Sequence, residues 1–132
     1  MVEFALVTPL FILMLFMVIT FAMIGQYALA VGQLAYNGAR YAAINPTLTP
    51  AQVAAYIKAG NLGAPTLTSG GAANLSVSVT PASGFGQPVI VTITYDLTAA
   101  GLVSTMSTMF THLGLPQTMP TSVTATQAAM SE

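Results

Sequence analysis

Few residues in this 132-residue sequence could do chemistry, and they do not cluster along the chain. There are three acids, two bases, one histidine and no cysteine. Without cysteine there are no disulfides, thiolate metal ligands or thiol nucleophiles. The ionisable side chains are Glu3, Arg40, Lys58, Asp96, His112 and Glu132. A set this small predicts no metal site, no cofactor and no catalytic group.

The one arrangement that resembles a catalytic set would combine His112 and Asp96 with a serine. Nothing in the sequence brings these residues together, and hydroxyl side chains are common throughout the chain. No glycine-rich phosphate loop precedes a predicted helix. We interpret His112 as an exposed residue near a helix end, where a partial positive charge suits the helix dipole. The sequence therefore predicts a protein that is not an enzyme.

The composition indicates that much of the surface of this protein is not exposed to water. Charged residues make up 4% of the chain, the net charge is -1 and the mean hydropathy is +0.77. Ordinary soluble domains have about 25% charged residues, which keep the surface hydrated. We expect much of this surface to lie in lipid or against copies of the same chain. Nucleic acid is not an expected partner, because its binding depends on basic side chains at the phosphates.

The first element that positions these residues is an apolar N-terminal run. Residues 4–24 are apolar apart from Thr8, Pro9 and Thr20. About 20 such residues span the hydrocarbon core of a bilayer, so the run predicts a transmembrane helix. The alternative is a cleaved secretory signal, with Ala28-Leu29-Ala30 as its cleavage site. No Lys or Arg precedes the run, which is also longer than the apolar core of a signal, ~7–15 residues.

Small residues extend the helical pattern beyond the apolar run. They recur at spacings of three and four and form one seam along the helix. The seam consists of Gly25, Ala28, Gly32, Ala35, Ala39 and Ala42. Small residues let two helices approach closely in a membrane, but such a seam can also seat a helix on its own sheet. We expect the upper seam to lie on the sheet and the lower seam against other subunits.

A helix from about Val2 to about Ile44 would be ~60 Å long, about twice the apolar thickness of a bilayer. Its second half must then leave the membrane. Pro9 removes one backbone hydrogen bond and is expected to kink or loosen the helix near Ala5. Glu3 has two readings of equal weight: a functional contact in an apolar environment, or a hydrated headgroup residue that suits the positive end of the helix.

The rest of the chain alternates turns with short elements. Asn45-Pro46 ends the long helix, and Thr49 to Gln52 predicts a capping box that opens a short helix ending near Gly60. Strand alternation appears at 75–80 and 91–97, joined by a hairpin-type connection over 81–88. A helical stripe predicts a short helix over 102–113, with Thr98 as cap and Gly114 as stop. A last extended segment is expected over 121–128.

These elements predict an α+β fold, in which a long N-terminal apolar helix packs on a small antiparallel sheet of three to four strands with one or two short helices. The expected division is a transmembrane and filament-core helix over 1–44 and a small β-rich globular domain over 45–132. Asn74-Leu75-Ser76 has the form of a glycosylation acceptor, a short pattern that often occurs by chance. Alternating hydroxyls on the strands predict a hydrated sheet face, which would also accept O-linked sugars.

Residues 2–10, with the sequence Val-Glu-Phe-Ala-Leu-Val-Thr-Pro-Leu, resemble the N-terminus of TadE-like pilins from the tight-adherence branch of type IV pili. Residues 37–43 look like the segment that ends the long helix in that family. The capped helix at 49–60, the strand ending at Tyr95 and the tail 122–132 are similar to its later elements. The first motif is fairly specific, because one Glu precedes an apolar run with a proline six residues later.

The resemblance implies a structural subunit of an extracellular filament, held first in the inner membrane, cut by a prepilin peptidase and extracted by the pilus assembly machinery. It implies a homopolymer that serves adhesion, with Glu3 matching the acid that pairs with the amino terminus of a neighbouring subunit. The family usually places that acid fifth after the cut, whereas here it is the third residue, which leaves the pairing amine open. The alternative function is a membrane-anchored minor pilin, or a priming or binding protein that does not form the bulk filament.

Overall fold

The computed structural model describes residues 2–63, 67, 72–84, 86–99, 101–112, 114 and 120–130. Helix α1 runs from Val2 to Ile44 without interruption, including the turn that contains Pro9. The predicted long helix is therefore confirmed, while a kink at Pro9 stays a prediction. Asn45 follows the last residue of α1, and its amide side chain donates to the carbonyl of Tyr41 over 3.0 Å.

Three antiparallel strands form one sheet in the order β1-β2-β3 within the described residues. Their bounds are Leu75–Thr80, Pro88–Asp96 and Ser122–Met130. Strand β2 starts at Pro88, which the sequence assigned to the connection, because the first residue of a strand tolerates a missing amide hydrogen. Strand β3 extends two residues beyond the predicted end. The α+β fold class is confirmed.

The second helix, α2, spans Pro50–Lys58 and begins as the capping box predicts. The Thr49 side chain accepts from the backbone of Gln52, while the Gln52 side chain accepts from the backbone N–H of Thr49. Each bond satisfies a donor that a helix start would leave open. Val53 and Ile57 on this helix are buried, so the cap fixes a helix that contributes to the core.

Helix α3 spans Gly101–His112 and follows a 3₁₀ turn at Leu97–Ala99. The predicted cap at Thr98 is wrong, because Thr98 lies inside that turn and its hydroxyl donates to Asp96 over 2.6 Å. Gly114 has a positive φ of 68° and its N–H donates to the carbonyl of Thr111. The predicted stop is therefore confirmed, since glycine adopts this conformation without steric cost.

The core lies between the helices and one face of the sheet. Helix α1 packs over β2 and β3, and α2 packs over β1 and against α1. The inward residues of β2 alternate with its partly exposed threonines, as the strand period requires. The core side chains supplied by the helices and by β2 include Val31, Leu34, Ala35, Val53, Ile57, Val91 and Ile93. The sheet covers only the second half of α1.

Candidate assembly surface

Helix α1 has two parts with different surroundings, here called the lower segment (residues 4–29) and the upper segment (residues 30–43). Most of the exposed large apolar side chains of the described chain lie on the lower segment, and Phe4, Leu10 and Leu29 are 70% or more exposed. In the upper segment Val31 and Leu34 are fully buried. Thr20 is buried, and Ile24 and Tyr27 pack against the core. The rest of the lower segment is an apolar surface without a cover of its own, far larger than a soluble monomer tolerates.

The polar side chains of the lower segment are satisfied inside the helix. The hydroxyl of Thr8 donates to the carbonyl of Phe4 over 2.7 Å, and that of Thr20 donates to the carbonyl of Phe16 over 2.8 Å. Thr20 is also almost completely buried. Hydroxyls bonded to the preceding turn need no water, so both can lie in hydrocarbon or in a helix bundle.

The small-residue seam crosses the boundary between the two segments. Gly25 and Ala28 are exposed, and Gly32 is half-buried. No heavy atom lies within 4 Å of a Cβ built on Gly25 or Gly32, so the chain itself leaves room at both glycines. The remaining seam residues, Ala35, Ala39 and Ala42, are buried in the core. Packing of the lower seam between subunits stays a prediction.

Gly38 is the glycine that the fold itself requires, and the sequence did not single it out. A Cβ at this position would lie 2.8 Å from Cδ1 of Ile57 and 3.5 Å from Cγ1 of Val91. The missing side chain therefore lets α2 and β2 approach α1 together. A glycine inside a helix costs about 1 kcal/mol relative to alanine and often marks such a contact, which is the signal that could have revealed it.

Two stacked tyrosine pairs hold the sheet and α2 to α1. The Tyr27 and Tyr95 ring centroids lie 5.4 Å apart, and those of Tyr41 and Tyr56 lie 4.2 Å apart. Burial raises the pKa of Tyr95 above its usual value, with smaller contributions from Tyr27 and Asp96. The first pair lies where the lower segment meets the sheet, so it fixes the height at which the sheet begins along the helix.

The charged and histidine side chains that the structure describes are all exposed. The side chain of Glu3 lies outside the described part of the structure, although its backbone belongs to α1. Arg40, Lys58 and His112 are exposed, as predicted for His112. Among the described residues no group of three or more His, Cys, Asp or Glu side chains could hold a metal ion.

Asp96 has a structural role at the end of β2. Its Oδ1 accepts from the Thr98 hydroxyl over 2.6 Å and from the Thr98 backbone N–H over 2.8 Å. These bonds, the side-chain bond first, lower the pKa of the Asp96 carboxyl. They stabilise the ionised carboxylate and close the turn that leads from β2 into α3.

The outer face of the sheet presents hydroxyl groups in rows across the strands. Register places Ser76 opposite Thr94 and Thr94 opposite Thr124. The Thr94 and Thr124 hydroxyl oxygens lie 3.0 Å apart, and those of Thr92 and Thr126 lie 3.1 Å apart. Asn74, in the glycosylation pattern, is half-buried directly before β1. Apart from Asp96 at the end of β2, this face carries exposed polar groups without charge.

An apolar cavity of about 250 Å³ lies between the end of α1 and the β1–β2 hairpin. Three prolines contribute to its wall, and no charged side chain does. Its lining consists of Ala42, Asn45, Pro46, Leu48, Pro50, Val79, Pro81, Ala82, Gly84 and Val89. The cavity offers no group that could act as an acid, a base or a nucleophile.

Within the described residues, one helix, over Val7–Ile44, is long and apolar enough to cross a membrane by length and composition. Residues 1–40 match the family model described as TadE-like protein. The match covers the lower segment and most of the upper segment, so the TadE-like resemblance predicted from the sequence is confirmed there. No curated protein and no solved structure matches the chain.

Proposed function

We propose that this chain, TadE-like over its first forty residues, is a structural subunit of an extracellular type IV pilus-like filament that polymerises through α1. The observation that carries the proposal is the contrast within α1. Its upper segment is buried under the sheet, while its lower segment exposes apolar side chains along its whole length. Such a helix needs an apolar environment both before and after assembly.

The lower segment would lie first in the inner membrane and then among the lower segments of other subunits. Extraction from lipid is favourable only if neighbouring helices cover the apolar surface again, which a bundle of identical helices does. The prepilin peptidase and the pilus assembly machinery are the expected partners before assembly. The extracellular filament would present the globular part, and its role would be structural, in adhesion, rather than enzymatic.

The seam gives the sharpest test of polymerisation. Gly25→Leu and Ala28→Leu add bulk where the chain leaves space, and they should not disturb the core. Ile19→Phe is the matched control, because it adds bulk to an exposed position nine residues before Ala28, about half a turn around the helix. Filament mass in sheared surface material is measured against membrane-bound subunit for each variant.

We expect both seam variants to reach the membrane normally and to lose most of their filament, while Ile19→Phe retains it. Equal filament yield from all three variants would show that the seam does not lie in the assembly interface. If no filament of this chain is found by microscopy and mass spectrometry of sheared material, even for the native sequence, the chain is instead a membrane-anchored minor pilin or a priming or binding protein.

The force that holds the filament is proposed to be apolar burial, because the chain has too few charges for an ion-pair network. Filaments should therefore survive about 1 M salt, where the Debye length is ~3 Å, and should dissociate in detergent. Sedimentation after each treatment measures this. Dissociation by salt alone would contradict apolar burial as the main force.

Glu3 is proposed to pair with an α-amino group, its own or that of an adjacent subunit, and so to set the axial register between helices. The reason is cost: an ionised carboxylate in an apolar bundle loses several kcal/mol of hydration unless a cation lies close. The next charged residue along the chain is Arg40, on the exposed side of the upper segment. Glu3→Gln and Glu3→Ala should insert normally but form far less filament. Normal yield from both would assign Glu3 to the headgroup region.

Sugars are proposed to contribute to the solubility of the assembled filament. The hydroxyl rows on the outer sheet face offer exposed acceptors for O-linked sugars, and Asn74 offers one for an N-linked sugar. Intact-mass measurement of the subunit from sheared filaments tests this. Masses equal to that of the unmodified chain would show that the filament subunit carries no glycan.

A further inference from the structure

Helix α3 leaves the globular part at the end of the sheet that lies nearest the lower segment. Strand β2 runs antiparallel to α1, since Val89 lines the cavity beside Ala42 while Tyr95 stacks on Tyr27. The turn at 97–99 and α3 follow directly. The backbone N–H of Leu97 donates to the carbonyl of Thr121 over 2.9 Å, so the segment returns to the same end of the sheet before β3 begins.

The height of this end relative to a membrane follows from α1. The apolar run 4–24 is centred on Met14, and Tyr27 is thirteen residues further along, or ~20 Å for a helix along the membrane normal. The hydrocarbon core ends ~15 Å from the midplane, and the headgroup region ends at ~20–22 Å. The Tyr27–Tyr95 pair thus lies at headgroup height, where tyrosines are enriched in membrane proteins. Helix α3 begins at the same height.

The residues of α3 divide cleanly around its axis. At 3.6 residues per turn, the apolar positions fall within an arc of about 120°, and the hydroxyl residues fill the rest. The apolar positions are Leu102, Val103, Met106, Met109 and Phe110. Within the apolar arc Met109 is 46% exposed and Phe110 is half-buried, and outside it Ser104 and Thr108 are exposed. The only ionisable side chain on α3 is His112, in its last turn.

We propose that α3 is a membrane-surface helix, which lies in the headgroup region beside α1 before assembly and places its apolar arc towards the acyl chains. Amphipathic helices bind membranes in this way, with the apolar face ~5–10 Å deep. Because α3 has no basic residue apart from His112, apolar contact rather than attraction to anionic lipid drives its binding. The inference rests on the membrane stage of the proposed function and adds a second contact with the lipid.

The absence of native cysteine makes single-label experiments clean. The full chain with Met109→Cys is labelled with a polarity-sensitive fluorophore and reconstituted in phosphatidylcholine vesicles that contain lipid with a quencher near the headgroup. Ser104→Cys is the matched control, about 140° around the same helix. Leu15→Cys, tested with a quencher deep in the acyl chains, reports the transmembrane segment. Ser78→Cys reports the exposed sheet face.

We expect the label at position 109 to lose about half of its fluorescence and the label at 104 to change little, as the depth of such helices implies. The same result is expected with and without anionic lipid. An unquenched label at 109 with a quenched label at 15 would overturn the inference and leave the membrane anchor intact. An unquenched label at position 15 would contradict the transmembrane position of the lower segment. A label at 109 that is unquenched at every protein-to-lipid ratio, and whose emission reports an apolar environment only at high ratio, would assign the face to a second copy and overturn the lipid contact.

Discussion

The lower and upper segments of α1 are both uncharged over most of their length, yet the protein treats them differently. In the upper segment a buried face meets β2 and β3, and Leu34 has no exposed surface. In the lower segment Leu29 is 70% exposed. The difference lies in the partner and not in the helix, because the sheet lies beside the whole upper segment and reaches the lower segment only near its end, at Ile24 and Tyr27. One helix can thus serve as the core of a fold and as the surface of an assembly.

The seam shows the same contrast at the level of single residues. Ala35 and Ala39 are buried in the core, while Gly25 and Ala28 follow the same spacing and are exposed. A regular seam therefore does not identify which partner it will meet. The two segments are therefore expected to respond differently to the same kind of substitution.

The largest expected effect is the loss of a core side chain from the upper segment. Leu34→Ala should lower the free energy of unfolding by about 2–5 kcal/mol, since it removes buried methyl groups and leaves a cavity. Leu29→Ala is the matched control and should stay within about 0.5 kcal/mol. Guanidinium unfolding in mild detergent, followed by the near-ultraviolet signal of the stacked tyrosines, measures both. Equal losses would mean that the lower segment also belongs to the core.

A glycine pair gives the next largest contrast. Gly38→Leu should destabilise by about 1–3 kcal/mol, because the new side chain meets Ile57 and Val91 in a packed core. The leucine side chain of Gly25→Leu meets no other residue. The free energy of unfolding should therefore stay unchanged or rise by up to about 1 kcal/mol, because leucine has the higher helix propensity. The same unfolding measurement applies. A destabilising Gly25→Leu would reveal an intramolecular contact on the lower segment.

The packing of α2 beside α1 depends in part on the capping box at the start of α2. Thr49→Ala removes the acceptor for the Gln52 backbone and should cost about 1 kcal/mol. Thr47→Ala, an exposed threonine outside the capping box, is the control and should be neutral. Hydrogen exchange of the α2 amides should rise only in the first variant. No increase there would show that packing of Val53 and Ile57 holds the helix without its cap.

The smallest effect concerns pH and the turn after β2. The pKa of Asp96 is lowered in the folded protein, so its contribution to stability is present above the unfolded value of about 3.9 and is lost as pH falls through the folded pKa. Asp96→Asn should remove this part of the acid dependence and leave the rest unchanged. Unfolding curves between pH 6 and about pH 2 measure the difference. Identical acid profiles for both proteins would contradict a role for the Thr98 bonds.

Local patterns predicted the elements well, and long-range contacts were harder. The apolar period gave α1, the box at Thr49 gave α2, and alternation gave β1 and β2, because each signal lies within a few residues. The cap at Thr98 was mispredicted because Asp96 competes for the same hydroxyl. The contact at Gly38 depends on Ile57 and Val91, which approach only after the sheet has formed, so spacing along α1 could not reveal it.

The assembly surface was predictable in outline. The apolar run and the seam indicated a helix with an external partner, and the TadE-like match covers that region. The point along α1 at which the sheet ends is located by the Tyr27–Tyr95 stack, which joins residues far apart in sequence. The lower limit of the globular part therefore follows from the structure and not from composition.

The central claim is that the lower segment is a contact surface at every stage, and one accessibility measurement tests it most directly. Two variants are used: Leu15→Cys, at a position that is 52% exposed in the isolated chain, and Ser78→Cys on the outer sheet face. Each is treated with a membrane-impermeant maleimide in inner-membrane vesicles of both orientations and in sheared filaments. We expect position 15 to stay unreactive in both preparations and position 78 to react in the filaments, and we expect detergent to make position 15 reactive. Filaments of this chain in which position 15 reacts as fast as position 78 would contradict the account.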